Sequence, residues 1–489
     1  MSEPTKTDDA KTESKKPEPM VEEEPVVTRH TIKVGGKDFA YSVTTGRMPL
    51  RNDDGEIVAQ MFFMAYTKDD EPVGTRRPLM FSFNGGPGSP SLWLHLGALG
   101  PKRVKMPTDG TMPQAPYELV DNPDHWLADT DLVFIDPIGT GYSRGKDAET
   151  SEKYWGVQAD IESVSEFIRL YLTRNERWAS PLFLVGESYG TTRAAGIAGY
   201  LIERGVAFNG IVLVSSILNF QTARFFKGND LPFILFLPTY TATAFYHGKL
   251  DKTLSKDLRK TLREVEQWAM GEYASSLAMG DRLPDAKRKQ IIAKLSRYTG
   301  LSREYCDNRD LRIEIHPFCR ELLRSEKLTV GRLDSRFKGY EAHHAGERPD
   351  HDPSMAALMP PYTSMFNQYV RTVLGYKSDL EYQVFGGIKK PWDWGKAVDG
   401  PADVSEALRK ATARNPHMKI FVASGYFDLA TPYFATEYTL AHSQIDPRLR
   451  SNVTVSEYEA GHMMYIHEPS LSKLKSDVQR FINASIPSR

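Results

Sequence analysis

The chain has 489 residues, of which 40% are hydrophobic, and carries 62 Lys and Arg against 63 Asp and Glu, a formal net charge of −1 at pH 7. The hydrophobic content suffices for a globular core, and the balanced charge gives no overall attraction to nucleic acid or anionic lipid, so we expect neither as a partner. The cysteines are Cys306 and Cys319. They exclude a disulfide-rich scaffold and leave two alternatives, one bridge or two reduced thiols.

The N-terminal segment 1–27 is predicted to be a disordered tail. It is rich in Pro, Glu, Lys, Thr and Asp, and such a composition cannot bury enough apolar surface to offset the entropy lost on ordering. It lacks the apolar run that forms the core of a secretory signal peptide, and the longest apolar run elsewhere, residues 231–237, is too short to cross a bilayer. We therefore expect a soluble, cytoplasmic protein that does not bind membranes.

Strands are predicted first in the N-terminal part of the chain. Residues 31–34 and 39–43 flank Gly-Gly-Lys-Asp at 35–38, which is typical of a β-hairpin, and a further strand is predicted at 59–66. Later apolar runs indicate buried parallel strands. These runs cover residues 79–83, 131–135, 182–185, 211–214, 420–423 and 453–458.

A helix is predicted between the strands at 131–135 and 182–185. Apolar residues recur there at spacings of three and four, which marks an amphipathic helix; they are Val157, Ile161, Val164, Ile168 and Leu172. Alternation of strands and helices predicts an α/β protein with an open, mostly parallel sheet. Such sheets bind ligands at the carboxyl ends of their strands.

The pattern changes between residues 218 and 382, where strand-like runs are few and charged stretches show helical spacing. We predict a mainly helical insertion that caps the site and divides the α/β core into parts at 28–217 and 383–489. The insertion includes a polar loop at 341–345 that, with His351, contains three histidines. Histidines in such loops are more often solvated than bound to metal, so we predict no metal site.

The sharpest motif is Gly186-Glu187-Ser188-Tyr189-Gly190, which follows a predicted strand and precedes a run of small residues suited to a closely packed helix. This arrangement predicts a nucleophile elbow, in which glycines on both sides of the serine permit a very tight turn. Ser188 is therefore the candidate nucleophile. The alternative is an ordinary turn serine.

A serine hydroxyl needs a base that accepts its proton and an acid that orients the base, and in this class the chain order is serine, acid, histidine. Asp428 follows the predicted strand at 420–423, and His462 follows the one at 453–458. Both therefore lie at the edge of the sheet where Ser188 is expected. The alternatives are a turn aspartate and a surface histidine.

A glycine-rich loop at 84–88 follows the early strand at 79–83. A backbone amide directed at a developing oxyanion needs close, unobstructed approach, which glycine provides. We predict that the amides of Gly86 and Tyr189 form the oxyanion hole. The glycines could instead form only a turn.

Four ordered segments of the chain resemble the motifs of the serine carboxypeptidase family. They are Asn-Gly-Gly-Pro-Gly at 84–88, Asp-Pro-Ile-Gly-Thr-Gly-Tyr-Ser at 136–143, Gly-Glu-Ser-Tyr at 186–189 and Gly-His-Met at 461–463. The resemblance extends from about residue 70 to 485. It implies an α/β-hydrolase fold, no metal or organic cofactor, and hydrolysis of the C-terminal bond of peptides. It also implies that Asn84, Gly85 and Glu187 hydrogen-bond the terminal carboxylate of the substrate.

A glutamate beside the nucleophile would repel a peptide carboxylate unless one of the two carried a proton. We therefore expect Glu187 to act protonated and activity on peptides to fall as pH rises; the alternative is a charged surface residue of the elbow. The chain departs from the family in two places. Ala98 stands where relatives usually have a glutamate that could share this proton, and Ser89 stands where they commonly have a cysteine.

Other functions remain open on the same scaffold, namely an esterase, an acyltransferase or a proline-specific aminopeptidase. The last is disfavoured because such enzymes resemble a His-Gly-Gly-Pro pattern, whereas this chain has Asn84. From a different class, the protein could be a catalytically inactive peptide-binding protein. The complete set of Ser188, Asp428 and His462 argues against that alternative.

Overall fold

A computed structural model describes residues 20–69, 71, 76–107, 111–396 and 400–487. Its centre is a ten-stranded sheet in the order β1-β2-β3-β7-β4-β9-β10-β13-β14, with β8 paired to β3. These strands are β1 (Val26–Val34), β2 (Lys37–Arg51), β3 (Ile57–Lys68), β4 (Leu79–Phe83), β7 (Asp131–Ile135), β8 (Arg144–Gly145), β9 (Leu182–Glu187), β10 (Gly210–Val214), β13 (Lys419–Gly425) and β14 (Val453–Tyr458). Two small antiparallel pairs join β5 (Lys102–Val104) to β6 (Leu119–Asp121) and β11 (Leu328–Val330) to β12 (Lys338–Tyr340).

The strands from β7 to β14 along this order run parallel, whereas β1, β2 and β3 form an antiparallel edge. The mostly parallel sheet predicted from the sequence is thus confirmed. The hairpin is confirmed as well, since β1 and β2 are joined by Gly35 and Gly36, both at positive φ, 56° and 81°. Glycine is the residue that a turn of this kind favours.

Alternating side chains of the central strands enter two separate cores, one on each face of the sheet. Within β4, for example, Phe81 and Phe83 belong to one core and Met80 to the other. This alternation follows from the period of two in a strand. Because both faces are buried, the strands appear in the sequence as continuous apolar runs.

Helices cover both faces of the sheet. They are α1 (Leu92–Leu94), α2 (Ala148–Glu152), α3 (Val157–Arg174), α4 (Tyr189–Ile202), α5 (Leu231–Tyr246), α6 (Leu258–Trp268), α7 (Ala274–Met279), α8 (Asp285–Thr299), α9 (Arg303–Asn308), α10 (Ile315–Glu321), α11 (Pro353–Thr372), α12 (Ser405–Arg414), α13 (Tyr433–His442) and α14 (Glu468–Ser485). Helices α3, α4 and α12 pack on one face, and α11 and α14 pack on the other. The helix predicted from the apolar spacing at 157–172 is α3. None of the helices within the described residues is both long and apolar enough to span a bilayer.

The insertion is mainly helical, as predicted, and helices α5 to α10 enclose a core of their own. Cys306 and Cys319 are buried in that core as free thiols, so the alternative without a bridge is the one that the structure has. Helix α11 differs from these helices, because its apolar side chains belong to the core of the central sheet. The boundary predicted at residue 382 therefore lies too late, since α11 packs with the α/β core.

The tail predicted for 1–27 is wrong in its last part, and residues 1–19 lie outside the described residues. Strand β1 already begins at Val26. Before it, Glu22 forms ion pairs with Arg51 at 3.0 Å and Arg174 at 2.5 Å, and the Val21 carbonyl accepts a hydrogen bond of 2.7 Å from Gln60. Pairing with side chains that are distant in sequence orders this polar stretch, and its composition alone does not reveal such partners.

One buried ion pair joins the two helices that flank the nucleophile motif. Arg193 of α4 donates to Asp160 of α3 at 2.8 Å, and the two side chains are 1% and 2% exposed. Arg193 also donates to the Asn84 carbonyl at 2.6 Å and lies over the Phe83 ring, 5.2 Å from its centroid. The pair therefore ties the loop after β4 to both helices.

Replacing Arg193 with methionine is expected to lower the free energy of unfolding by about 3–5 kcal/mol, because the Asp160 carboxylate would be left buried without a cation. Urea denaturation measures this change. Arg169→Met is the matched control, since it removes an exposed arginine of α3 that pairs with Glu166 at 2.7 Å, and it should change the same quantity by less than about 0.5 kcal/mol. Equal effects of the two substitutions would contradict the role assigned to the buried pair.

Candidate active site

Ser188 lies in a strained turn between β9 and α4, with φ 60° and ψ −131°. A residue other than glycine rarely adopts this backbone conformation unless the surrounding structure imposes it. The positions on both sides of Ser188 have no space for a side chain. A Cβ on Gly186 would lie 2.1 Å from the Gly190 carbonyl oxygen, and one on Gly190 would lie 2.8 Å from the Phe83 carbonyl oxygen. The turn has the geometry of a nucleophile elbow, and it leaves Ser188 partly exposed at the carboxyl edge of the sheet.

Asp428 and His462 are brought together by neighbouring strands. Asp428 follows β13 and His462 follows β14, and these two strands pair in parallel. His462 Nδ1 lies 2.8 Å from Asp428 Oδ2. A proton on Nδ1 is held by that carboxylate, which leaves Nε2 as the nitrogen able to accept another proton.

The Asp428 carboxylate is fixed by further donors. Its Oδ1 accepts hydrogen bonds from the amides of Ala430 at 2.7 Å and Thr431 at 3.0 Å, and its Oδ2 accepts one from the Thr431 hydroxyl at 2.7 Å. Asp428 is 0% exposed and His462 is 4% exposed. These bonds compensate the burial of the charge and hold the carboxylate in one orientation.

The electrostatics of this pair favour a basic imidazole. Burial opposes the positive charge on His462, but the adjacent Asp428 carboxylate and the charge of Glu187 raise the pKa of the imidazole above its ordinary value overall. A base with a raised pKa holds a proton more readily once it has taken it from a nucleophile. The arrangement can therefore stabilise the imidazolium that forms during acyl transfer.

The segment after β11 links the two loops that carry Asp428 and His462. The Leu429 amide donates to the Arg332 carbonyl at 3.0 Å, and the His462 amide donates to the Leu333 carbonyl at 2.6 Å. The sequence analysis missed this contact with the insertion. Backbone hydrogen bonds can be made by almost any residue type, so no sequence motif predicts them.

The glycine loop after β4 lies directly against the start of α4. A Cβ on Gly85 would lie 2.5 Å from the Tyr189 backbone nitrogen, and Gly86 has φ 103°. Tyr189 is the first residue of its helix, so its amide has no intrahelical acceptor. The Gly86 amide likewise donates to no group within the described residues. Both candidate oxyanion donors are therefore free for a ligand, beside Ser188.

Ser188 and His462 line a single cavity of about 420 Å³. The Ser188 hydroxyl makes no hydrogen bond to His462 or to any other described residue, and such catalytic bonds often tighten only when a substrate is present. The glycine loop, Glu187 and apolar side chains complete the wall. These remaining residues are Asn84, Gly85, Gly86, Pro87, Ser89, Trp93, Glu187, Arg332, Leu333, Asp352, Met355, Phe385 and Met463.

Asn84 and Glu187 form a buried polar pair in this cavity. Asn84 Nδ2 donates to Glu187 Oε1 at 2.9 Å, and Asn84 Oδ1 accepts from the Leu94 amide at 3.0 Å. The orientation of the Asn84 amide is thereby fixed. Glu187 is 3% exposed, so it is not the charged surface residue considered as the alternative.

Burial raises the pKa of Glu187 to about 7, although the positive charge of His462 and the polar groups of Tyr465 and Asn84 lower it. The carboxyl is therefore largely protonated below neutral pH. A second carboxyl is not needed for this shift. Ala98, which replaces the glutamate usual in the family, is itself fully buried.

Aromatic side chains occupy the neighbourhood of the Glu187 carboxyl. The Tyr465 hydroxyl is buried beside it, and a Cβ on Gly97, next to Ala98, would lie 2.4 Å from the Tyr465 ring and 2.9 Å from the Tyr362 hydroxyl. Tyr465, which follows the Gly-His-Met motif by two residues, is not among the site residues predicted from the sequence. Its position close to that motif is the one signal that could have identified it.

The motif at 136–143 has a structural role. Asp136 Oδ1 accepts hydrogen bonds from the Ser91 amide and hydroxyl, both at 2.8 Å, and the Ser143 hydroxyl donates to the Asp136 carbonyl at 2.5 Å. Asp136 is 0% exposed. The motif thus fixes the segment that follows the glycine loop against the end of β7.

The histidine-containing loop is held by its main chain. The His343 amide donates to Asp350 at 3.0 Å, and Arg324 donates to the Gly346 carbonyl at 3.0 Å. Across the part of the chain that the structure describes, no group of three or more His, Cys, Asp or Glu is placed to hold a metal ion.

The sheet, the elbow serine and the Asp-bound histidine at the strand ends define an α/β-hydrolase. Residues 44–468 match the family model described as serine carboxypeptidase. The chain belongs to the serine carboxypeptidase family.

Relatives within the family match over limited stretches. The pheromone-processing carboxypeptidase KEX1 of Saccharomyces cerevisiae is 33% identical over 156 residues, which are 29% of this chain and 20% of the relative. The carboxypeptidase sxa2 of Schizosaccharomyces pombe is 26% identical over 149 residues, 30% of this chain and 28% of the relative. The chain thus spans well under half the length of these curated relatives.

A solved structure extends the similarity of fold over nearly the whole chain. The crystal structure of Kex1(delta)p, a prohormone-processing carboxypeptidase from Saccharomyces cerevisiae, matches with a TM-score of 0.54 and 18% identity. The match covers 90% of this chain and 91% of the other. At this identity it shows the fold.

An organophosphonate is expected to label the wild-type protein once per chain, and Ser188→Ala should abolish the labelling because the elbow hydroxyl is the candidate nucleophile. Intact-protein mass spectrometry measures the added mass. Ser89→Ala is the matched control, since Ser89 lines the same cavity but its hydroxyl accepts from Trp93 at 2.8 Å, and this variant should still be labelled. Labelling that persists in Ser188→Ala would identify another residue as the nucleophile.

Proposed function

We propose that the protein is a serine-type carboxypeptidase that removes the C-terminal residue of peptides through an acyl-enzyme on Ser188. One observation carries this proposal: the buried Asn84–Glu187 pair lies in the same cavity as Ser188 and His462. Membership of the serine carboxypeptidase family supports it.

In the proposed reaction, His462 accepts the Ser188 proton while Oγ attacks the last peptide carbonyl carbon. The amides of Gly86 and Tyr189 donate to the oxyanion. Collapse of the tetrahedral intermediate breaks the C–N bond, and His462 gives its proton to the leaving amine. Water, deprotonated by His462, then attacks the ester and regenerates Ser188, while Asp428 stabilises the imidazolium in both halves of the reaction.

Specificity for the chain end is proposed to come from recognition of the terminal carboxylate. Asn84 Nδ2 has a second hydrogen beyond the one donated to Glu187 Oε1, and Glu187 Oε2 is buried without a hydrogen-bond partner among the residues described. A proton on Oε2 would make Glu187 a donor. With the Gly85 amide, three donors would then face the substrate carboxylate, which an ionised Glu187 would repel.

Blocked dipeptides with a free C-terminus are expected to be hydrolysed at least about tenfold faster than their C-terminal amides, because a hydrogen bond to a charged group contributes about 1.5–3 kcal/mol. The measurement compares kcat/KM for the two peptides at the same pH. Each peptide differs only at the terminal group, so side-chain preferences cancel. Equal values would favour an esterase or another hydrolase of the same fold.

The pH dependence should show two opposing limbs for peptides with a free C-terminus. Activity rises with pH as His462 loses its proton, and it falls as pH passes about 7, because Glu187, whose pKa burial raises to about 7, becomes negatively charged. In Glu187→Gln the falling limb should disappear, since an amide donates without titrating. Profiles of kcat/KM against pH measure both limbs.

A blocked amino acid ester is the control for this profile, because it has no free carboxylate for Glu187 to meet. Wild-type enzyme should show no falling limb near pH 7 with the ester. A falling limb that persists in Glu187→Gln with the free-acid peptide would assign the titration to a different group.

A further inference from the structure

Arg332 is an arginine of the cavity wall that forms no ion pair with any residue in the described part of the chain. Its amide donates to Asp352 Oδ1 at 3.1 Å, and its carbonyl accepts from the Leu429 amide at 3.0 Å, so its main chain is fixed on both sides. The side chain is partly buried. Among the residues that the structure describes, its guanidinium forms neither a hydrogen bond nor an ion pair. By contrast, Arg336 on the same segment pairs with Asp334 at 2.6 Å.

The carboxylate of the same cavity, Asp352, is already used to organise the main chain. Its Oδ1 accepts from the amides of Arg332 and Ser354, at 3.1 and 3.0 Å, and its Oδ2 accepts from the Leu333 amide at 3.3 Å. It caps the first turn of α11. Asp352 forms no ion pair with the Arg332 guanidinium within the described residues, although both side chains line the same cavity.

The cavity wall also has apolar side chains. Leu333 and Met355 line it together with Arg332, and so do Trp93, Phe385 and Met463. A cation that loses part of its hydration against apolar side chains is unfavourable unless an anion compensates it. The cavity is thus poised for a ligand that combines apolar surface with a negative charge.

The charge of Arg332 also acts at the reacting centre. The pKa of His462 is raised overall by Asp428 and Glu187, against the effect of burial. The charge of Arg332 lowers the same pKa. The Arg332 charge therefore acts on the protonation of His462, which lines the same cavity. The terminal carboxylate has its own donors in the proposed function, which come from the glycine loop and the elbow.

We propose that Arg332 selects peptides with an acidic side chain, Asp or Glu, at one of the two residues flanking the scissile bond. This proposal rests on the proposed carboxypeptidase function and names its substrate class. The side-chain carboxylate would pair with the guanidinium, while the methylene groups of the substrate would contact the apolar wall. The terminal carboxylate would remain with Asn84, Gly85 and Glu187.

The test compares isosteric blocked peptides at about pH 6, where a side-chain carboxylate is ionised. One pair carries Glu or Gln as the last residue, and a second pair carries Glu or Gln as the penultimate residue. Wild-type enzyme should prefer Glu in one pair by about tenfold or more in kcat/KM, an effect between those of exposed and buried charge pairs. The pair that shows the preference identifies which flanking residue Arg332 contacts.

Arg332→Met should bring the preference to about one, because it removes the charge and keeps an apolar stem. The ratio of kcat/KM for the Glu and Gln peptides is the readout, since loss of a charge that lowers the pKa of His462 affects both peptides alike. Arg332→Lys should retain part of the preference. Arg348→Met is the matched control, since Arg348 belongs to the same insertion but its side chain is 67% exposed and does not line the cavity. This control should keep the wild-type preference.

A binding measurement separates failure of this proposal from failure of the proposed function. Nα-acetyl-Glu and Nα-acetyl-Gln, together with the peptides above, compete with a neutral organophosphonate for Ser188, and protection from labelling needs no peptide hydrolysis. Stronger protection by the Glu compounds that is lost in Arg332→Met supports the acidic preference even if no peptide is cleaved. The acidic preference would be overturned by any of three results. These are equal protection and equal rates for Glu and Gln, a preference that survives Arg332→Met, and a preference for Lys over Gln.

Discussion

The site depends on a close approach of backbone segments that leaves no space for side chains. The loop after β4 touches the start of α4, where a Cβ on Gly85 would lie 2.5 Å from the Tyr189 nitrogen, and a Cβ on Gly186 would lie 2.1 Å from the Gly190 carbonyl oxygen. This packing forces Ser188 to φ 60°. The strain at Ser188 and the need for glycine have the same cause, which is the close contact of these backbone segments. The same contact brings the free amides of Gly86 and Tyr189 close to the partly exposed Ser188 hydroxyl.

Burial acts in opposite directions on the pKa values of two groups beside Ser188, since it raises that of Glu187 and lowers that of His462. Glu187 and His462 are both buried, yet Asp428 compensates the charge of the imidazole, whereas no arginine or lysine pairs with Glu187 among the described residues. The pKa of Glu187 rises to about 7 for that reason. A neutral carboxyl can bind an anion where a charged one could not. Burial among aromatic residues achieves this without the second carboxyl that Ala98 replaces.

Much of the fold and of the candidate site could be predicted because both rest on local patterns. The runs at 79–83 and 131–135 coincide with β4 and β7, since strands buried on both faces must be continuously apolar. The run at 453–458 coincides with β14, which is an edge strand and is largely exposed or half-buried. Asp428 and His462 could be predicted to lie together because each follows a strand of the parallel sheet. In the structure His462 Nδ1 lies 2.8 Å from Asp428 Oδ2. The order in residues 20–27 could not be predicted, because it depends on distant pairs such as Glu22 with Arg174.

The contact of the insertion with the loops that carry Asp428 and His462 could not be predicted either, and it changes how the site is understood. The segment that carries Arg332 and Leu333 does more than cover the cavity, since its carbonyls accept hydrogen bonds from the Leu429 and His462 amides. The loops that carry Asp428 and His462 are therefore held partly by the insertion. These hydrogen bonds also fix the main chain from which the Arg332 side chain extends into the wall of the cavity.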